Sequence, residues 1–221
     1  GVNVNLTNML FKKKNRVILS SVLCIAACIG DLLVLFIMGR KFPGYSQLSD
    51  TISLLGASVS PVSGPVSAWW IILGFVFIVF AAGFATEYKE RGSLVFIAAL
   101  LIVVYALGEG MGSGLFKADH VGGSLTGSAI IHDTIGGIGI VAVLILPLVM
   151  RRIFHDEKHR AFYIFSTVIF YVGIFTSLLF LSRYSGDNFL GRFTGLWQRM
   201  SLVNIYLYFT VISVMMAKNR S

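Results

Sequence analysis

The sequence predicts an all-α polytopic membrane protein, a bundle of six transmembrane helices with a short amphipathic surface helix after the first. Three observations carry this. Of 221 residues, 56% are hydrophobic and only 13% charged, with a mean hydropathy of +0.83; soluble domains carry roughly 25% charged residues. So few charges cannot cover a water-facing surface, and most of that surface must face lipid. Six apolar runs each reach the roughly 20 residues needed to cross a bilayer. The Lys and Arg residues gather in the short segments between those runs, as topology signals do.

The spans are expected at about 17–39, 66–86, 94–116, 127–150, 161–182 and 195–217, forming one membrane domain over 1–221. The first run follows Lys12, Lys13, Lys14 and Arg16, which imitates a signal peptide, but it is too long for a signal core and reads as a retained helix. Cys24 and Cys28 lie within it. Four apart on a helix, they suit packing better than a disulfide. After the first span, residues 40–65 hold Pro43, Gly44, Pro61, Gly64 and Pro65. Between them, Leu48, Ile52 and Leu55 alternate with polar residues at helical spacing, which predicts the surface helix. Trp69, Trp70 and Trp197 fall at helix ends on one side, as an aromatic belt requires.

Twelve of the 18 Lys and Arg residues lie at the two termini and in the second and fourth loops. The positive-inside rule puts that side in the cytoplasm, giving a cell-membrane protein with both termini inside. The net charge of +8 is thereby explained, and no nucleic-acid partner is expected. Asn5-Leu6-Thr7 matches the glycosylation triplet but precedes a basic cluster on the cytoplasmic side. The loops there are too short for a catalytic domain.

Ionisable side chains inside the spans carry the functional signal, because each costs at least ~2.5 kcal/mol at a helix centre. Asp31, Glu109, His132, Asp133 and Arg199 come from four helices. At 1.5 Å per residue they share one layer, roughly 8–12 Å below the outer helix ends. Arg199 cannot lose its charge and is expected to pair with Asp31, Glu109 or Asp133. Small residues Ser128, Gly136 and Gly139 follow the His132 face, which lets helices approach closely. The alternating Gly108, Gly110, Gly112 and Gly114 loosen the end of the third span; irregular backbone at that depth needs protein or a wet cavity beside it.

Three groups of residues resemble a known pattern. Phe116-Lys117-Ala118-Asp119 precedes His132 by a glycine-rich turn, Gly195-Leu196-Trp197-Gln198-Arg199 opens the last helix, and Pro43-Gly44-Tyr45-Ser46 is followed by Thr51-Ile52-Ser53-Leu54-Leu55-Gly56-Ala57. Together, over nearly the whole chain, these resemble the prokaryotic six-span family called domain of unknown function nine-nine-eight. The layout is more loosely similar to the Frag1/DRAM/Sfk1 membrane family, linked to lipid remodelling and asymmetry. The chain departs from the first pattern at Lys117, in place of Pro, at Gln198, in place of Glu, and at Leu54, where an acidic residue is common. The resemblance implies the fold and no activity.

The leading expectation is a binder or mover of a lipid or small amphiphile, with an outward-facing polar pocket. Asp31, Tyr45, Asp50, Glu109, Asp133 and Arg199 would bind ligand, Arg199 holding an anionic head group. The alternative is a lipid hydrolase or transferase in which Asp119 and His132 form an acid–base pair. No cofactor is expected. A metal site would rest on His120 and His132 with unusual carboxylate help, since His155 and His159 lie in the basic loop on the opposite side. A bis-histidine haem lacks facing histidines. Proton-coupled transport fits the embedded carboxylates but lacks an inverted repeat and charges in the inner half.

Overall fold

In the computed structural model, residues 2–121, 124–184 and 189–219 are described, with side chains from 13 onward except 120–121. The side chains of Lys12 and His120, and all of Asp187 and Arg220, lie outside the described residues. The elements are α1 Val2–Lys41, α2 Ser53–Gly56, α3 Ser63–Tyr88, α4 Leu94–Tyr105, α5 Ser113–Leu115, α6 Gly127–Ile153, α7 Arg160–Leu181 and α8 Thr194–Lys218. A π-helical segment, Ala106–Gly112, joins α4 to α5 into one continuous span. Two-residue strands β1 His120–Val121 and β2 Ser124–Leu125 pair antiparallel in the loop before α6.

Six helices are long and apolar enough to cross a bilayer. The chain is a membrane protein, and its surface agrees: Leu19, Phe75, Leu100, Val141, Phe175 and Leu178 are all more than half exposed, which lipid tolerates and water does not. The six membrane-length helices run Lys13–Lys41, Ser63–Arg91, Leu94–Leu115, Gly127–Ile153, Glu157–Tyr184 and Gly191–Lys218, and α1 continues back to Val2 as one helix ~60 Å long, twice a bilayer core. The expected surface helix over 48–55 is smaller than its pattern suggested. Turns take Gln47–Ser49, and only Ser53–Gly56 winds into helix.

At the basic end of the bundle, aromatic rings fill the interior. Phe209 meets Phe77 at 5.2 Å and Phe80 at 5.5 Å, and Tyr88 stands edge-on to Phe154 at 4.9 Å. Such pairs contribute ~0.5–1.5 kcal/mol each beyond burial, and within lipid packing contacts carry the association of helices. Trp70, near the other end of α3, is buried and not part of an aromatic belt: it is 4% exposed, lines the cavity described below and lies against Gly56, where a Cβ would stand 2.4 Å from its ring.

At the other end the helices make room. Gly110 of the π segment touches Gly74 of α3, so closely that a Cβ on Gly110 would lie 2.7 Å from the Gly74 Cα. The alternating glycines read as a loosened helix are this segment, wound as a π-helix and pressed against α3. π-Turns hold an extra residue and are frequent at functional sites.

Candidate functional site

Between the two loops 42–62 and 116–126 and the facing walls of α1, α3, α6, α7 and α8 lies a cavity of about 950 Å³. That is the upper end of the range for small-molecule pockets. Its carboxyl groups are Asp31, Asp50, Glu109 and Asp133; its basic groups are Arg183 and His132. Its apolar wall includes Leu35, Leu73, Phe77, Ile140, Leu144 and Ile205. Along α6, Asp133, Gly137 and Val141 recur every fourth residue, line the cavity, and are exposed. Leu181 and Tyr184 do the same at the end of α7, at 51% and 68% exposed. The cavity is therefore open along the line between α6 and α7.

Each embedded residue has a distinct setting. Asp31 is 2% exposed and saturated: Trp69 Nε1 donates to one carboxyl oxygen at 2.8 Å and Tyr206 OH to the other at 2.7 Å. It ties α1 to α3 and α8. Glu109 sits on the π segment, partly accessible on the cavity wall, and its carboxyl takes no hydrogen bond or ion pair among the described residues. Gly136 of α6 gives it space, since a Cβ there would stand 2.6 Å from Glu109 Oε1. Asp133, at the opening, is likewise without such a partner among the described residues.

The expected pairing of Arg199 with an embedded carboxyl does not form. Arg199 instead donates to the carbonyls of Gly195 at 2.9 Å and Asp50 at 3.1 Å, and to Tyr45 OH at 2.6 Å. Loop 42–62 folds back over the start of α8, and backbone carbonyls reach the guanidinium before any embedded carboxylate does. Tyr45 OH donates onward to the Thr51 carbonyl at 3.0 Å. Burial pushes the Tyr45 pKa up, against the opposing pull of Arg199. The Asp50 carboxyl accepts from Ser46 N–H at 2.7 Å. Tyr45, Asp50 and Arg199 thus form a clasp over the cavity, of which only Asp50 lines the space itself.

Asp119 and His132 are not bonded to each other. Asp119 accepts from Ser58 N–H at 2.7 Å and Ser58 Oγ at 2.6 Å, fixing the two loops together. His132, 5% exposed, sits between Phe116 O at 2.9 Å from Nδ1 and Ser53 Oγ at 3.2 Å from Nε2. A carbonyl only accepts, so Nδ1 carries the proton and Nε2 faces Ser53 as acceptor. Arg183, beyond the end of α7, was not among the site residues expected from the sequence. In the structure it lines the cavity, stacked on Phe180 at 4.1 Å and Tyr184 at 4.5 Å, with its Nε–H buried and unpartnered among the described residues. Among the described residues, no three His, Cys, Asp or Glu side chains are grouped to hold a metal ion.

A family model described as Protein of unknown function (DUF998) matches residues 25–215. The chain belongs to the DUF998 family. No curated protein and no solved structure matches it, so the looser likeness to the Frag1/DRAM/Sfk1 family gains nothing. In this DUF998 chain the three departures noted in the sequence have definite places. Lys117 Nζ donates to Ser63 Oγ at 2.8 Å and Ser67 Oγ at 2.5 Å, joining the loop to α3. Gln198 Oε1 accepts from Ile52 N–H at 2.7 Å, reinforcing the clasp beside Arg199. Leu54 lines the cavity, adding apolar surface.

Proposed function

We propose that this DUF998 protein binds or moves a lipid or small amphiphile, held in the cavity with its head group among the carboxyls and its chain along the apolar wall. One observation carries the reading: an open space of about 950 Å³ lined both by carboxyl groups and by aliphatic and aromatic side chains. The opening between α6 and α7 gives a lipid a sideways entry. The positive-inside distribution supports an orientation with the cavity end outward and both termini in the cytoplasm.

The head group differs from the one the sequence suggested. Arg199 is committed to the clasp, and of the four carboxyls that line the cavity, Glu109 and Asp133 are unbonded among the described residues. Unbonded acceptors suit a head group rich in N–H donors, an ammonium above all, with the Arg183 guanidinium, which also donates to Tyr184 OH, on the cavity wall to face a phosphate.

The test uses Gly137, which lines the cavity and has open space beyond its Cβ position. A Gly137→Trp side chain can be introduced there without a clash at its Cβ and is bulky enough to obstruct the cavity. Protein reconstituted with equal phosphatidylethanolamine and phosphatidylglycerol is examined by native mass spectrometry. Wild type is expected to retain phosphatidylethanolamine, and Gly137→Trp to lose it about tenfold or more, a change of about 1.4 kcal/mol. Equal retention by the two proteins would sink the reading.

A further inference from the structure

We infer that Ser53 and His132 form a nucleophile–base pair that cleaves an acyl ester entering the cavity; this rests on the cavity admitting an amphiphile. Three observations join at one place. Ser53 Oγ lies 3.2 Å from His132 Nε2, the nitrogen that the Phe116 carbonyl, 2.9 Å from Nδ1, leaves as acceptor. Nucleophile, base and orienting group are thus in the order that activation of a hydroxyl requires. Phe116 ends its helix in an extended conformation (φ −108°, ψ 128°), which turns its carbonyl away from the helix and towards the imidazole. Both Ser53 and His132 line the cavity.

Access separates this pair from the hydroxyl pairs that serve packing. Ser166 and Tyr208 bond at 2.8 Å where both are sealed, at 0% and 1% exposed. Ser53 is half-buried, sits on a loop helix and not on a membrane span, and faces open space. A serine there would be satisfied by water and needs no histidine partner. Its own N–H takes no acceptor among the described residues, which leaves a donor beside Oγ for an oxyanion.

The chemistry balances as hydrolysis. Ser53 Oγ attacks the acyl carbon while its proton passes to His132 Nε2. The tetrahedral oxyanion is met by the Ser53 N–H. Collapse breaks the bond to the alcohol oxygen, which leaves with the proton from Nε2. Water, giving its proton to His132, then attacks the acyl-serine; Ser53 Oγ leaves and recovers that proton, and the fatty acid departs. An alcohol in place of water makes the same sequence an acyl transfer.

The test is labelling of the full chain in lipid nanodiscs with a fluorophosphonate probe, the adduct located by peptide mass spectrometry. Labelling at Ser53 is expected, absent in Ser53→Ala and slowed about a hundredfold in His132→Asn, the scale of general-base catalysis. Asn keeps a donor for the Phe116 carbonyl and lacks the base, and an unchanged melting temperature shows that the variant folds. Octanoate release from p-nitrophenyl octanoate follows the same order. A wild type unlabelled at Ser53, or His132→Asn labelled as fast as wild type, overturns the inference. If the lipid retained in the Gly137→Trp comparison is genuine while Ser53 stays unlabelled, only the chemistry fails; if no lipid is retained, the cavity reading fails and this falls with it.

Discussion

At the basic end of the bundle, Phe80, Phe84, Phe154 and Phe209 have no measurable exposure and pack ring on ring. At the opposite end the same helices part around a space of about 950 Å³, with Glu109 and Asp133 facing it unbonded among the described residues. One half has spent its side chains on contact, the other on leaving groups available. The lesson is that polarity and stability are separated along the helices. Asp31 marks the boundary: it is embedded and polar, yet both its oxygens are bound and its surface is closed.

The sharpest way to break this comparison is at the aromatic end. Phe209→Ala removes a ring that touches Phe77, Phe80 and Tyr105. A loss of about 3–5 kcal/mol is expected, read as a large fall in midpoint in reversible unfolding from mixed micelles. A midpoint within error of wild type would mean that this half is not the source of stability. At the boundary, Tyr206→Phe leaves one oxygen of a closed carboxyl without its donor and should cost about 1–3 kcal/mol in the same assay. The effect should vanish in the background of Asp31→Leu, which offers no acceptor, if the two act through one bond.

The smallest expected effect lies outside the membrane at the basic end. Arg91 donates to Asp156 at 2.9 Å and His159 lies 2.5 Å from it, joining two loops. Arg91 first, and His159 after it, hold the Asp156 carboxyl well below the ordinary carboxylate range. A depressed pKa adds stability that is whole above the unfolded value, and that is lost as pH falls through it towards the folded one, roughly from pH 5 downwards. Because Asp156 is exposed, the slope should be shallow. Comparing melts of wild type and Arg91→Ala between pH 7 and 3 should show the gap closing with acid; a gap that widens in acid contradicts the pairing.

Local pattern carried much of this. Apolar runs gave the six spans, because in lipid a helix must satisfy its own backbone and its length is set by the bilayer. Depth along each helix brought Asp31, Glu109, His132 and Asp133 to one cavity, since rise per residue is constant. The glycines at 108, 110 and 112 announced irregular helix before α5. Pairings across the chain were not legible. Asp31 meets Trp69 and Tyr206, 38 and 175 residues away, and nothing local chooses those donors over Arg199. Arg199 went to Tyr45 and the Asp50 carbonyl because a loop with several prolines and glycines folds back, a path that no periodicity encodes. Ser53 escaped notice as a possible partner of His132 for the same reason: the two are 79 positions apart.

The π-helical turn at Ala106–Gly112 has a consequence for chain length. Such a turn accommodates one residue that an α-helix would not. Deleting one residue from it would let the span relax to plain α-helix with the flanking turns kept in register, so that only the residues of the turn itself would be re-aimed, by up to about 100°. The Glu109 side chain would then leave the cavity wall for the lipid or a neighbouring helix. Homologues one residue shorter between the positions of Tyr105 and Phe116 are therefore expected to carry no acid there, so a single gap in an alignment would divide the family by what its cavity can hold.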